Sequence, residues 1–197
     1  MKYLVKVRDM IAKISRQVRA ILGLTVLGLT PGLAVAEMPV IYKNGGQSLF
    51  EVSAPDYWQV RAGGPRVISP PDLEEERLIN RVIGFSPVSD QGAWVGFMSP
   101  NGVRTFDQAV EYLRNVGKSI VEDPVLVSEK KTRIGGLSAA KYAGHGRRGR
   151  KTVNFTAVLI DLPQDRVAIS IAILEAGVDP EMINDINAIY SSFRSLR

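Results

Sequence analysis

The sequence predicts an α+β fold: an antiparallel β-sheet meander with one helix mid-chain and one C-terminal helix packed on it. Two adjacent stretches, "KTVNFTAVLID" and "RVAISIAILE", alternate apolar and other residues at the strand period of two. Two further segments, "TFDQAVEYLRNVGKSI" and "VDPEMINDINAIYSSFR", carry apolar residues at helical spacing behind explicit start signals. The order of these elements, strands first and helices interspersed singly, is that of a sheet with helices laid against it.

The chain opens on basic residues, Lys2, Lys6, Arg8, Lys13, Arg16 and Arg19, followed by "ILGLTVLGLTPGLAVA" with no charge. A basic region, an apolar region and Ala34-Val35-Ala36 before Glu37 describe a secretory signal peptide over residues 1–36, cleaved after Ala36. That address predicts a periplasmic protein. An uncleaved, membrane-tethering segment is the alternative, but the apolar run is shorter than the roughly 20 residues a spanning helix needs. The formal charge of +5 resides in this segment. Residues 37–197 hold nineteen basic and nineteen acidic side chains. A neutral chain lacks the cationic excess that supplies most nucleic-acid affinity, so no nucleic-acid partner is expected. The absence of cysteine excludes disulfides, thiolate nucleophiles and cysteine-based metal centres.

Residues 37–47, with Asn44-Gly45-Gly46, read as a flexible N-terminal segment, and residues 48–197 as a single domain. Strands follow at Leu49–Val52 and from Trp58, separated by a turn through Pro55 and Asp56. "GGPRVISPPD" reads as loop, with Val67 and Ile68 pairing briefly. In "DLEEERLINRV", Asp72 and Glu75 have capping spacing for a short helical turn, and the glutamates form a solvated face. Val82–Phe85 and Gly92–Met98 form a hairpin. The mid-chain helix starts at Thr105, with Gln108 completing a capping box and Phe106, Ala109, Val110, Leu113 and Val116 as its apolar stripe.

"PVLVSEKKTRI" is the next strand, turned by Gly135-Gly136 into "LSAAKYA". On the two alternating strands, Val153, Phe155, Ala157 and Leu159 share a face, as do Val167, Ile169, Ile171 and Ile173. Ala168, Ser170 and Ala172 leave the opposite face open to a close neighbour. Asp179 caps the last helix, Pro180 takes its first position, and Met182, Ile183, Ile186, Ile189, Tyr190 and Phe193 form its buried stripe.

"RIGGLSAAKY", the two long alternating strands, the terminal "IYSSFR" and the early "FEVSAPDYW" together resemble the PsbP-like superfamily, over roughly residues 48–195. That fold is shared by photosystem extrinsic proteins, a nuclear-import factor that binds a small GTPase, DcrB-like periplasmic proteins and effector chaperones of contact-dependent secretion. The resemblance assigns Gly135 and Gly136 to a turn, Ala139 and Ala140 to close packing and Phe193 to the core. It implies a domain used for binding or assembly, without catalysis and without a cofactor.

One charged motif stands out. Arg147, Arg148, Arg150 and Lys151 crowd beside the single histidine, His145, in "GHGRRGRK". The glycines Gly144, Gly146 and Gly149 suit a hairpin tip with unusual backbone angles, which would put His145 in a turn. The four cations are a candidate patch for an anionic partner surface or lipid headgroup. A hydrolase would need His145 to meet a serine and a carboxylate through the fold, because neither is near in sequence. No nucleotide-binding or nucleophile-elbow motif is present. The expected function is therefore an exported, cofactor-free binding or accessory protein of the cell envelope, recognising a protein or an anionic surface.

Overall fold

The computed structural model describes residues 37–64, 66–68, 77–79, 81–89 and 92–196; the expected signal segment and the capping pair Asp72 and Glu75 lie outside them. Twelve strands and two helices occur among these residues. β1 (Glu37–Asn44), β2 (Gln47–Pro55) and β12 (Arg194–Ser195) make a small sheet in the order β1-β2-β12. The main sheet contains β3 (Trp58–Gly63), β6 (Val82–Pro87), β7 (Ala93–Met98), β8 (Glu122–Ile134), β9 (Leu137–Arg148), β10 (Lys151–Leu162) and β11 (Arg166–Glu175). Its order is β3-β6-β7-β11-β10-β9-β8, antiparallel throughout. β4 (Arg66–Ile68) and β5 (Arg77–Ile79) pair as a separate ribbon. The helices are α1 (Phe106–Val116), continued by a 3-10 turn at Gly117–Ser119, and α2 (Glu181–Ser191).

The strand order follows from side-chain chemistry. β11 is apolar on both faces and almost wholly buried, so it occupies the centre of the sheet beside β7. β8 carries "SEKKTR" and takes the edge, where lysines blunt unwanted pairing. The result is two meanders, β3/β6/β7 and β8 through β11, joined by α1, with the last strand of the second inserted next to the first.

The N-terminal segment and the 77–79 stretch depart from the sequence expectation. Glu37–Asn44 is not a flexible segment; it is strand β1, paired with β2 from Glu37↔Pro55 to Asn44↔Gln47. Gly45 and Gly46 sit at φ +57° and +82°, so Asn-Gly-Gly makes the tight turn of a hairpin. Arg77–Ile79, expected at the end of a helical turn, is strand β5, because Arg66, Val67 and Ile68 pair with Ile79, Leu78 and Arg77.

The main sheet is buried on two faces. Against α2 and the small sheet lies an aromatic core in which Phe50 stacks on Tyr42 and Phe193 with ring centroids 4.8 and 5.1 Å apart. Gly135 and Gly136 form the β8–β9 turn at φ +54° and +79°, and a side chain at Gly135 would strike the carbonyl oxygen of Phe193. The turn and the terminal aromatic expected from the PsbP-like pattern thus touch each other. Asp185 of α2 accepts hydrogen bonds from Tyr57 Oη at 2.8 Å and Trp58 Nε1 at 3.1 Å, tying the β2–β3 corner to the helix.

Under α1 lies an aliphatic core of Val153, Leu159, Val167, Ile169, Ile171 and Ile173. Both halves of the Thr105–Gln108 capping box form, as the sequence predicts. The start of α2 differs from the expectation by one residue: Pro180 takes the N-cap position, with no side-chain cap bond, and the helix begins at Glu181, whose amide donates to Asp179 Oδ1 at 2.9 Å. Ile183 departs from the expected buried stripe: it is 47% exposed, because α2 turns its Ile186, Ile189 and Tyr190 face to the sheet.

Candidate binding cleft on the α1 face

α1 covers β11 and part of β10 but leaves the outer strands uncovered. Between the helix and β8 opens a cleft of about 740 Å³. Its floor is Tyr142 on β9, Phe155 and Ala157 on β10, and Ile171 on β11. The alternation of β10 puts Phe155 and Ala157 on the face under α1, and the registers Tyr142↔Ala157 and Ala157↔Ile171 carry the floor across three strands. Val110 and Leu113 form the helix wall, and Leu126 and Glu129 the wall on β8.

The cleft is mostly apolar, with charge at its mouth. Asp107 and Arg114 stand on α1 and Glu129 on β8. Burial, then the charge of the Glu129 carboxylate and a hydrogen bond to it, then the charge of Asp107, raise the pKa of the Tyr142 phenol and favour its neutral form. A concave apolar site with a few polar groups at the rim is the ordinary form of a binding pocket.

β8 adds a second recognition element. It is the sheet edge, and its outer side pairs with no strand among the described residues. Register shifts between Glu122 and Val125 and between Leu126 and Ser128 mark bulges, with Asp123 at φ +46°. The bulges present Val125, Leu126 and Val127 to solvent at 51, 55 and 69% exposure. Three consecutive exposed apolar residues on a strand edge, beside an apolar cleft, form a surface suited to an extended chain.

The basic motif lies at the end of the neighbouring hairpin. Arg148 and Lys151 pair across the β9–β10 turn, so the tip is Gly149-Arg150, with Gly149 at φ +61°. Arg147 forms an ion pair with Asp123 at 2.6 Å, and Lys151 with Glu175 at 2.5 Å. Glu122 accepts a bond from the Gly149 amide at 3.3 Å. Arg148 and Arg150 have no acidic partner among the described residues. The patch is thus half neutralised by acids far away in sequence.

His145 is not in a turn. It lies exposed in β9 between Val125 and Asn154, with no serine or carboxylate hydrogen-bonded to it among the described residues. Gly144 and Gly146 do not adopt left-handed angles either. A side chain at Gly144 would fall 2.1 Å from the Val125 carbonyl oxygen and 2.7 Å from the Phe155 ring, and at Gly146 2.5 Å from Val121. They are glycines because bulged β8 and the cleft floor press against β9. No group of three or more His, Cys, Asp or Glu able to hold a metal stands together among the described residues.

The cleft is not legible in the sequence. "PVLV" reads as a strand, and its exposure depends on bulges that no local pattern announces. The only available signal was the "SEKKTR" run, which marks an edge.

Sheet, helices and cleft define the class of the molecule: an α+β domain with the PsbP-like fold, carrying an open groove beside an edge strand. No protein-family model matches the sequence, and no curated protein matches it. Among solved structures, the cyanobacterial PsbP (CyanoP) of Synechocystis sp. PCC 6803 is similar with a TM-score of 0.52 and 10% identity, over 90% of this chain and 99% of that one. LpqN of Mycobacterium tuberculosis, involved in cell envelope biogenesis, gives 0.42 and 13% over 82% and 91%. PA94 of Pseudomonas aeruginosa, of unknown function and a putative regulator, gives 0.41 and 12% over 78% and 94%. At these identities the likeness is one of fold alone.

Proposed function

We propose that the protein is an exported, non-catalytic binding domain of the cell envelope, which takes an extended apolar segment of a protein partner into the α1 cleft and along β8. The observation that carries this reading is the juxtaposition of the cleft with Val125, Leu126 and Val127 on an open strand edge. The unpaired backbone groups of β8 supply hydrogen bonds and the cleft supplies side-chain selectivity. Export rests on the signal-like residues 1–36, and Arg148 and Arg150 provide a contact for an anionic surface near the partner.

Affinity purification from the envelope of the source organism tests it. Wild-type protein retains a partner that Leu126→Asp and Leu113→Asp each lose, while Ile41→Asp, an exposed change on β1, retains it. Equal retention by all three variants contradicts the cleft as the binding site. Amino-terminal sequencing of the same preparation is expected to begin at Glu37.

A further inference from the structure

A second cavity, of about 630 Å³, opens on the opposite face of the sheet, between α2 and strands β8 to β11. Its chemistry differs from that of the cleft. Val158, Ala172 and Leu174 form an apolar floor, and Ile183 and Ile186 an apolar lip. The half-exposed Ile183 is an apolar side chain that the helix holds over this opening rather than in the core. Around the apolar part stand Thr132, Thr156, Asn187 and Lys141, and no acidic residue lines the cavity.

Lys141 is directly opposite Lys130 on the neighbouring strand. A cross-strand pair puts two side chains on one face within about 5 Å at their β-carbons, where like charges repel. Neither lysine forms an ion pair among the described residues. Two cations near the β9–β10 turn are matched, Arg147 by Asp123 and Lys151 by Glu175. Arg133, at the same cavity, spends a guanidinium nitrogen on the Gly136 carbonyl at 3.0 Å. Lys141 is therefore unmatched charge in the lining of an acid-free cavity with an apolar floor, and Lys130, equally unmatched, lies directly opposite it on the edge strand.

We propose that this cavity binds a small organic anion with an apolar body, a carboxylate or sulfonate on an aliphatic or aromatic frame. The acid group is held by Lys130 and Lys141, with hydroxyl donors from Thr132 and Thr156. The apolar body lies on Val158 and Leu174 beneath Ile183. A single anion between the lysines converts their repulsion into two charge-assisted hydrogen bonds. This site is separate from the α1 cleft and does not rest on the function proposed for it.

The test compares three probes by calorimetry and amide NMR on the folded protein: octanoate, octanol and acetate. Octanoate is expected to saturate and to shift resonances of Thr132, Thr156 and Ile183. Octanol, without the charge, and acetate, without the body, each bind roughly tenfold or more weakly, since a charge-assisted bond or a buried alkyl chain is lost. Lys130→Gln/Lys141→Gln, both surface changes, lowers octanoate to the level of octanol, while Leu126→Asp leaves octanoate binding unchanged. The proposal is overturned if octanoate shows no saturable binding, if octanol binds equally well, if the double variant keeps full affinity, or if the shifts fall on Leu113 and Phe155 instead.

Discussion

Ser170 and Tyr190 share a hydrogen bond of 2.9 Å inside the core, one from β11 and the other from α2. Ser170 is fully buried and sits between Ala168 and Ala172, the small face that lets the helix approach the sheet. Tyr190 packs against Phe97 with ring centroids 5.7 Å apart. Ser170→Ala strands the Tyr190 hydroxyl, and Tyr190→Phe strands that of Ser170. Each leaves one buried polar group unpaired with little volume change, a loss of about 1–3 kcal/mol. In Ser170→Ala/Tyr190→Phe both polar groups are gone, and the total loss is about 1 kcal/mol or less. The double-mutant cycle therefore returns a coupling energy of about 1 kcal/mol or more, far from additivity. Urea unfolding followed by the fluorescence of Trp58 and Trp94 measures all four proteins, with constant m-values expected. Additive losses, or single variants indistinguishable from wild type, would refute the claim that this bond joins α2 to the sheet.

Three further outcomes follow from the same geometry. Gly144→Ala drives a β-carbon into the Val125 carbonyl and the Phe155 ring and costs about 2–3 kcal/mol, whereas Gly149→Ala, with open space but φ +61°, costs about 1 kcal/mol; urea midpoints rank them. Tyr57 is pushed up to about 12 by burial first and then by its bond to Asp185. Its neutral form is thus favoured in the folded state, and that stabilisation is complete below pH about 10 and lost as pH rises toward 12. In Asp185→Asn, NMR of labelled tyrosine should find Tyr57 titrating lower than in wild type. Finally, Arg148→Ser/Arg150→Ser removes the two unpaired cations of the hairpin tip, and cosedimentation with anionic vesicles at low salt is expected to fall more than for Arg147→Ser/Lys151→Ser, whose charges are already matched.

The sequence is legible where the physics is local. The Thr105–Gln108 capping box, the Gly135-Gly136 turn and the alternating faces of β10 and β11 all depend on residues within a few positions of one another. The small face at Ala168, Ser170 and Ala172 announced a close neighbour, and Tyr190 is that neighbour. The sequence is ambiguous where a local cue has two physical meanings. Asn-Gly-Gly signals both flexibility and a tight hairpin, and only the pairing of β1 with β2 decides between them. Gly144 and Gly146 suggest unusual backbone angles, yet they answer to a neighbouring strand and, for Gly144, to a ring eleven residues further on.

The sites were the least legible part. The cleft exists because α1 stops short of the outer strands, and the acids that tame the basic tip, Asp123 and Glu175, each lie 24 residues from their partners. The like-charge pair Lys130↔Lys141 emerges only from the register of β8 with β9. Composition gave no hint of it, because residues 37–197 are neutral as a whole.

Site-specific photocrosslinking in the source organism tests the proposed function most directly. A photoreactive phenylalanine analogue is placed in turn at Leu113, Leu126 and Val127, around the cleft and its strand edge, and at Ile41 and Val88, exposed apolar positions away from it. The account predicts one shared adduct from the first three positions and none of that mass from the last two. Adducts from Ile41 or Val88 alone, with the cleft positions silent, would contradict it.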